Sequence, residues 1–269
     1  MKIKSFITKW LLPPNFTNLI LAKTKSVSWS GNYSSWEDAM KDGSGYADPK
    51  ISRKVLSSTL AVIRGEAAFE RDSVLFNEPA YNWPVSSLLL WIAVSEDSSL
   101  KVLDFGGSLG STYFQHKNIF SGIKHLKWNI VEQEHFVDMG RNNIKELGLY
   151  FFGSMEESES VSPSDVLLLS SVLPYLENPH QFLDECLDRK FKYILIDKTA
   201  FIENDNGDDR LTLQTVREPI YDASYPAWFF SKAKFMKHFS ANYDLKFSFI
   251  RDGKAADGSN YEGMMFTLK

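Results

Sequence analysis

The chain has 269 residues, of which 43% are hydrophobic, and its formal net charge is −4 at pH 7. This length and composition suit one large α/β core with an extension, and no apolar run is long enough to predict a membrane-spanning helix. The single cysteine, Cys186, excludes a disulfide framework and a thiolate metal cluster. We therefore expect a protein of the reducing cytoplasm, and we expect no nucleic-acid partner.

The first segment of the chain, residues 1–28, is basic and amphipathic. Residues 1–30 contain five lysines, and all 34 acidic residues follow later in the chain. In a helix, Phe6, Ile7 and Trp10 would share a face beside lysines, which suits either an anionic membrane surface or packing against the protein's own body. Both alternatives stay open, and the first predicts a peripheral contact with the inner membrane through residues 1–25.

Residues 29–98 are predicted to form a helical cap or edge layer. An aromatic and glycine-rich stretch, Trp29–Pro49, precedes two helical patterns, Arg53–Arg71 and Trp83–Ser95. Pro84 falls in the first turn of the second helix, where proline is well tolerated.

Residues 99–269 alternate between short apolar runs and helical patterns, which predicts βαβ units and a parallel sheet with both faces covered. The strands are predicted at Lys101–Phe105, Trp128–Glu132, Leu149–Gly153, Asp165–Ser170 and Tyr193–Asp197, with helices near 112–120, 134–147 and 179–189. Two final runs, Tyr243–Arg251 and Tyr261–Leu268, are separated by turn residues and predict an antiparallel hairpin. The fold class is thus α/β and Rossmann-like, with a seven-stranded, mostly parallel sheet in the order 3-2-1-4-5-7-6.

The first predicted strand runs into a glycine turn, Val102-Leu-Asp-Phe-Gly-Gly-Ser-Leu-Gly-Ser111. Gly106, Gly107 and Gly110, with Ser108 between them, would let the backbone approach a nucleotide-like ligand. Asp104 would repel a pyrophosphate but favour a cation, and S-adenosylmethionine carries an ammonium and a sulfonium without phosphate. Alternatively, Asp104 only caps the next helix.

Further polar residues follow the next three predicted strands, at the sheet edge where open α/β folds bind ligands. Glu132 stands where an acid can accept hydrogen bonds from both ribose hydroxyls of an adenosine cofactor. A small polar residue and a methionine end the third strand, where an adenine ring would lie. The predicted cofactor contacts beyond the turn are Glu132, Gln133, Ser154, Met155, Ser170 and Ser171.

With these residues in view, the chain resembles a family of methyltransferases encoded in bacterial surface-polysaccharide and lipopolysaccharide gene clusters. The resemblance runs from about residue 29 to the C-terminus and implies the class I methyltransferase fold, S-adenosylmethionine as cofactor and a saccharide as acceptor. Two positions depart from the family pattern, because Lys198 replaces a usual arginine and Pro174 a usual glutamine. Position 198 therefore does not supply a bidentate guanidinium. The matching stretches include Trp29–Trp36, Ile63–Glu66, Phe69–Asp72, Leu103–Gly110, Val131–Gln133, Leu169–Leu173 and Ala223–Trp228.

The acceptor side is predicted around the end of the fifth strand and the segment that follows it. Methyl transfer to a hydroxyl needs a base, and Asp197 is the candidate; alternatively, it is paired structurally with Lys198 or Arg210. Residues 209–230 are expected to supply substrate-contacting loops. The five histidines lack metal-ligand spacing, so we expect no metal. The candidate acceptor contacts are Tyr175, Lys198, Arg210, Gln214, Tyr225 and Trp228.

Three functions stay open at this point. The first is S-adenosylmethionine-dependent methyl transfer to a saccharide or saccharide precursor of a bacterial surface glycan. The second is a noncatalytic cofactor-binding subunit of a glycan-assembly complex. The third, a nicotinamide-dependent oxidoreductase, is disfavoured by Asp104 and by the predicted terminal hairpin. The sequence does not specify the oligomeric state.

Overall fold

A computed structural model describes residues 26–45, 49–202, 207–255 and 259–269 of the chain. The strands in these ranges are β1 (Val27–Tyr33), β2 (Phe69–Arg71), β3 (Val74–Phe76), β4 (Ser99–Phe105), β5 (His125–Val131), β6 (Leu149–Phe152), β7 (Val166–Ser170), β8 (Tyr193–Ile202), β9 (Arg210–Val216), β10 (Ala223–Ser231), β11 (Tyr243–Lys254) and β12 (Asn260–Leu268). The helices are α1 (Trp36–Asp42), α2 (Pro49–Ile63), α3 (Trp83–Ser95), α4 (Ser111–Phe120), α5 (Glu134–Asn143), α6 (Met155–Val161), α7 (Pro179–Asp188) and α8 (Lys232–Phe239). The basic segment of residues 1–25, with its predicted membrane contact, lies outside the described residues.

The centre of the molecule is a mixed sheet with five neighbouring parallel strands. Strands β6, β5, β4, β7 and β8 are parallel neighbours, while β12 is antiparallel to β8 and β11 to β12. These seven strands lie in the order 3-2-1-4-5-7-6, and the predicted fold class is confirmed. The sheet has ten strands, however, because β1, β9 and β10 join it as well.

The three additional strands correct two expectations. Residues 209–230 were expected to form loops, but most of them form β9 and β10, a hairpin whose strands pair over seven residues. Strand β1 pairs with β9, so residues 29–98 contribute to the main sheet as well as covering it. The aromatic residues between 221 and 230 suit a strand as well as a loop, so the sequence did not distinguish the two.

The sheet divides at the carboxyl end of β8. Residues Tyr193–Ala200 pair with β12, whereas Phe201 and Ile202 pair with β10. Lys198 has a positive φ of 53°, close to a register shift in the β8–β12 pairing. The end of β8 therefore lies between β10 and β12, which brings distant parts of the chain close to Asp197.

The cap contains the three helices α1, α2 and α3, but one predicted helix ends early. Helix α3 begins and ends where predicted, and Asn82 caps its start. Helix α2 ends at Ile63, and β2 and β3 then form a small hairpin in which Phe69 and Phe76 stack with centroids 4.6 Å apart. The predicted helix over Arg53–Arg71 was too long because the turn after Ile63 interrupts the apolar pattern.

The core lies on both faces of the sheet. Val102, Trp128 and Leu168 pack on the face covered by α3, α4 and α5, while Leu103 and Phe266 belong to the cluster on the other face. Both faces are buried because the central strands are apolar at nearly every position. Among the described helices, none has the length and apolarity needed to cross a membrane.

Candidate functional site

The glycine turn follows β4 and leads into α4, as predicted. Gly106 and Gly110 have positive φ values of 72° and 92°, a conformation that favours glycine. The Gly106 amide donates to the carbonyl of Val131 at 2.9 Å, and a Cβ atom on Gly106 would lie 2.5 Å from Val172. The turn is thus held between the ends of β5 and β7, where the other predicted cofactor contacts lie.

A buried carboxylate lies directly behind this turn. Asp104 is 1% exposed and accepts a hydrogen bond from Trp128 Nε1 at 3.0 Å. Burial, opposed by the Trp128 hydrogen bond and aided by the charge of Glu132, raises the pKa of Asp104 to about 7. A Cβ atom on Gly107 would lie 2.6 Å from the Asp104 carboxyl carbon. A cation bound over the turn would therefore stabilise the ionised carboxylate.

Asp104 does not cap the following helix, so that alternative is wrong. Gly110 holds the N-cap position of α4 without a side-chain hydrogen bond. The charge of Asp104 is consequently not explained by helix capping.

Glu132 connects the end of β5 to the glycine turn. Its Oε1 accepts a hydrogen bond from the Ser108 amide at 3.3 Å, and its Oε2 accepts one from the Gln133 amide at 2.7 Å. Burial raises the pKa of Glu132, although these two hydrogen bonds lower it in part. Gln133 is exposed beside it at the start of α5. The structure thus brings the acidic residue and the turn together as predicted.

The two residues predicted beside an adenine ring have structural contacts of their own. Ser154 Oγ accepts a hydrogen bond from the Glu157 amide at 3.1 Å and caps α6. Met155 is buried in the core beside Leu103 and Phe152. Their cofactor roles stay predictions.

A third carboxylate at the turn was missed from the sequence. Glu70, in the β2–β3 hairpin, accepts a hydrogen bond from Ser111 Oγ at the start of α4 and another from the Ser73 amide at 3.0 Å. Burial raises the pKa of Glu70. A dinucleotide's pyrophosphate would bind at this helix start, so Glu70 disfavours such a ligand. Its position within a predicted helix concealed it.

Asp197 ends up in a buried polar network at the end of β8. It is 1% exposed, and its Oδ2 accepts hydrogen bonds from Asn82 Nδ2 at 2.9 Å and Ser170 Oγ at 3.1 Å. Arg251 Nε lies 3.1 Å from Asp197 Oδ1 and forms an ion pair with it. Asp197 thus pairs with Arg251, and not with Lys198 or Arg210, the two alternatives considered from the sequence. Asp197 and Ser170 are joined as expected at the ends of adjacent strands, and Ser171 follows with its amide bonded to the Asp197 carbonyl.

Asn82 is the centre of this network. Its side-chain Oδ1 accepts a hydrogen bond from Arg251 Nη1 at 2.8 Å, and its backbone N–H donates to His116 Nε2 at 2.9 Å. Burial lowers the pKa of His116, whose Nδ1 lies 2.8 Å from the Thr112 carbonyl. His116 is therefore neutral, with its proton on Nδ1. Asn82 before Trp83-Pro84 signals a helix start, but no sequence pattern signals its contact with Asp197 or Arg251.

Three of the predicted acceptor contacts form a second polar cluster. Tyr175 OH donates to Gln214 Oε1 at 3.0 Å, and Gln214 Nε2 lies 3.5 Å from Tyr225 OH. Tyr221, which the sequence did not single out, lies 3.5 Å from Tyr225 between the two hydroxyl oxygens. Burial raises the pKa of Tyr225 to about 12, and it raises the pKa of Tyr175 further. These hydroxyls are neutral near pH 7, so they can exchange hydrogen bonds with an acceptor without acting as bases.

The structure does not bring all predicted acceptor contacts together. Trp228 and Tyr225 belong to core clusters on opposite faces of the sheet. Trp228 Nε1 donates to the Leu176 carbonyl at 3.1 Å. The Arg210 guanidinium lies over the Phe229 ring, 4.8 Å from its centroid. Lys198 follows Asp197 directly in the strand but forms part of an irregular pairing.

Metal binding finds no support in the parts of the chain that the structure describes, where no group of three His, Cys, Asp or Glu residues is arranged to hold an ion.

Solved structures with a related fold carry S-adenosyl ligands. The N-terminal domain of EvdMO1 with SAH bound aligns at a TM-score of 0.50 and 10% identity, covering 83% of this chain and 97% of that chain. Magnesium protoporphyrin IX methyltransferase (ChlM) from Synechocystis PCC 6803 with bound SAM aligns at a TM-score of 0.47 and 11% identity, covering 80% and 97%. No protein-family model matches the sequence, and no curated protein matches it. The chain has the class I S-adenosylmethionine-dependent methyltransferase fold.

Proposed function

We propose that this protein binds S-adenosylmethionine at the glycine turn and transfers its methyl group to a hydroxyl of a saccharide or saccharide precursor of a bacterial surface glycan. One observation carries the cofactor assignment: two buried carboxylates, Glu70 and Asp104, lie at the turn where the pyrophosphate of a dinucleotide would be repelled by negative charge.

The residues present fit this cofactor. Gly107 leaves space above Asp104, whose negative charge lies where it can attract an ammonium or sulfonium. Glu132 at the end of β5 offers carboxylate oxygens for ribose hydroxyls, provided that it exchanges its bond with the Ser108 amide, which at 3.3 Å is long. When bound, S-adenosylmethionine supplies an electrophilic methyl group on a sulfonium.

The acceptor assignment rests on Asp197 and the tyrosine cluster. Asp197 would take the proton of the acceptor hydroxyl while that oxygen forms its bond to the methyl carbon and the C–S electron pair stays on sulfur. Asp197 Oδ2 accepts hydrogen bonds from Asn82 and Ser170, and the acceptor hydroxyl would take the place of Ser170, the less buried of these two donors. Tyr175, Gln214 and Tyr225 would orient the sugar through their neutral polar groups.

Ligand-induced stabilisation tests the cofactor assignment. The full chain should be stabilised against heat by S-adenosylmethionine and by its homocysteine product, but not by NAD or NADP at the same concentrations. Stabilisation by NAD alone would contradict the proposal. Turnover of labelled S-adenosylmethionine with candidate glycans, chosen by comparing polysaccharide composition in cells with and without the gene, then tests the acceptor.

We also propose a peripheral contact with the inner membrane through residues 1–25. A chain lacking these residues should keep its cofactor affinity but float less with anionic phosphatidylserine or phosphatidylglycerol vesicles, because each lysine adds an attraction of about 1 kcal/mol. Equal flotation of the full and shortened chains would contradict this contact and favour packing on the protein itself.

A further inference from the structure

An open pocket of about 440 Å³ lies beside the start of α7. Its walls come from the loop after β7, the segment before β9, strand β10 and helix α8. This volume is within the range of about 300–1,000 Å³ that small-molecule sites occupy. Trp228 lines the pocket, whereas Tyr225 lies in the cluster on the other face of the sheet. The pocket is therefore distinct from the acceptor cluster around Tyr225.

A chain of short contacts makes one wall of this pocket rigid. His180 Nε2 lies 2.7 Å from Asp209 Oδ2, His180 Nδ1 lies 2.7 Å from His238 Nε2, and His238 Nδ1 lies 2.6 Å from Asp184 Oδ1. Lys234 Nζ also lies 2.7 Å from Asp209. Burial alone would raise the pKa of Asp209, but hydrogen bonds from His180, Lys234 and the Ser231 amide lower it to about 2.

These contacts join the side chains of the wall to one another. Asp209 faces His180 and Lys234, and Asp184 faces His238, so both carboxylates already have partners within the protein.

Other groups at the pocket are available to a ligand. The side chains of Glu177 and Asn178 have no hydrogen-bond partner among the described residues, and both are exposed. The indole N–H of Trp228 donates to the Leu176 carbonyl and its ring stacks with Trp36, so the part of the ring that stays exposed offers an apolar surface and no donor. Gln181 donates to Glu185 and keeps its carbonyl oxygen free to accept.

These groups favour a neutral polar ligand over an anion or an apolar ligand. Glu177 and Asp208 disfavour a phosphate or another anion by like-charge repulsion, whereas Asp209 is already paired with His180 and Lys234. A lipid or other apolar ligand would need aliphatic walls, and Pro179 is the only aliphatic side chain among the lining residues. Planar amide and carboxylate groups around one aromatic ring suit a neutral, polyhydroxylated ligand, whose hydroxyls both donate and accept while its C–H face contacts the ring.

From this chemistry we infer that the pocket is a second saccharide-binding site, separate from the site of methyl transfer. It rests on the proposed function only in that the sugar bound here would be a remote, unreacting unit of the acceptor glycan. Leu176, which accepts from Trp228, follows Tyr175 of the acceptor cluster directly, so the two sites share one segment of chain.

Binding of neutral trisaccharides to the full chain without cofactor tests this inference. Maltotriose, cellotriose and chitotriose are titrated while indole and imidazole NMR signals are followed. At least one should shift the Trp228 and His180 signals, and Glu177→Ala or Asn178→Ala should weaken that binding about fivefold, as expected for one lost hydrogen bond. Glu134→Ala is the matched control, since Glu134 is also exposed at a helix start but lies outside the pocket, and it should leave binding unchanged.

Two results would overturn the inference: no shift of these signals with any of the three sugars at millimolar concentration, or binding that both pocket variants leave intact. The outcome is separable from that of the methyl-transfer proposal because cofactor is absent from the titration. Sugar binding in a chain that S-adenosylmethionine fails to stabilise would retain this site and remove the proposed function, and the converse result would do the opposite.

Discussion

The two halves of the proposed active site are assembled in different ways. At the glycine turn, the pairs that matter are near in sequence: Asp104 with Trp128 and Ser108 with Glu132 are each separated by 24 residues. At the acceptor side, Asn82 meets Asp197 across 115 residues and Arg251 across 169. The cofactor half follows from neighbouring βα units, whereas the acceptor half exists only once the cap, β8 and the terminal hairpin have packed together.

The largest effect should come from breaking the cofactor half at Gly107. In Gly107→Asp the new Cβ would lie 2.6 Å from the Asp104 carboxyl carbon, and a second carboxylate would enter a buried site. We expect S-adenosylmethionine binding to fall below detection in calorimetry. Gly122→Asp is the control, because a Cβ there meets nothing within 4 Å. Unchanged affinity in a folded Gly107→Asp protein would remove the turn from the cofactor site.

The next largest effect should come from the acceptor half, at Asp197. If Asp197 removes the acceptor proton, Asp197→Asn should lower turnover by roughly 10²–10⁴-fold while cofactor affinity stays the same. Ser170→Ala should have a smaller effect, because it removes a donor that the acceptor hydroxyl is expected to replace. Full turnover in Asp197→Asn would show that this carboxylate is a structural partner of Arg251 and that another group takes the proton.

This contrast explains how much the sequence could predict. The order of the parallel strands and the meeting of Asp104, Glu132 and the glycines follow from periodicity, because successive βα units place their carboxyl ends at one edge. Sheet pairing between β1 and β9 does not follow, since it joins segments almost 190 residues apart with no turn between them to fix the register. Likewise, Trp228 was grouped with Tyr225, but three residues along a strand place side chains on opposite faces. A loop would not impose that alternation.

A smaller effect, on stability, should come from breaking the ion pair that joins the terminal hairpin to β8 at Asp197. Arg251→Met leaves the Asp197 charge buried with only Asn82 and Ser170 as donors, and we expect a loss of about 3 kcal/mol in the free energy of unfolding. Denaturant unfolding measures it. The double variant Arg251→Met with Asp197→Asn should be less destabilised than the sum of the single variants. Additive losses would mean that the ion pair does not couple the hairpin to β8.

The smallest effect, and the one that best distinguishes a charged from a neutral cofactor half, is the pH dependence of binding. Burial raises the pKa of Asp104 to about 7 from its ordinary value of 3.8. The folded, ligand-free protein therefore binds more protons than the unfolded chain between these values, and this group's contribution to stability is lost as the pH rises through about 7. A bound cation reverses that preference, since it favours the ionised carboxylate.

Affinity for S-adenosylmethionine should accordingly rise by about eightfold between pH 6 and 7.5, which is the change in the ionised fraction of a group with a pKa near 7. Calorimetry in buffers with different ionisation enthalpies should show a proton released on binding at pH 6. Asp104→Asn, which keeps an oxygen for the Trp128 indole, separates this titration from that of the ligand's own amino group, and its affinity should change little over the same range. An equal pH dependence in the two proteins would assign the titration to the ligand and leave Asp104 as a buried partner of Trp128, without a role in attracting the cofactor.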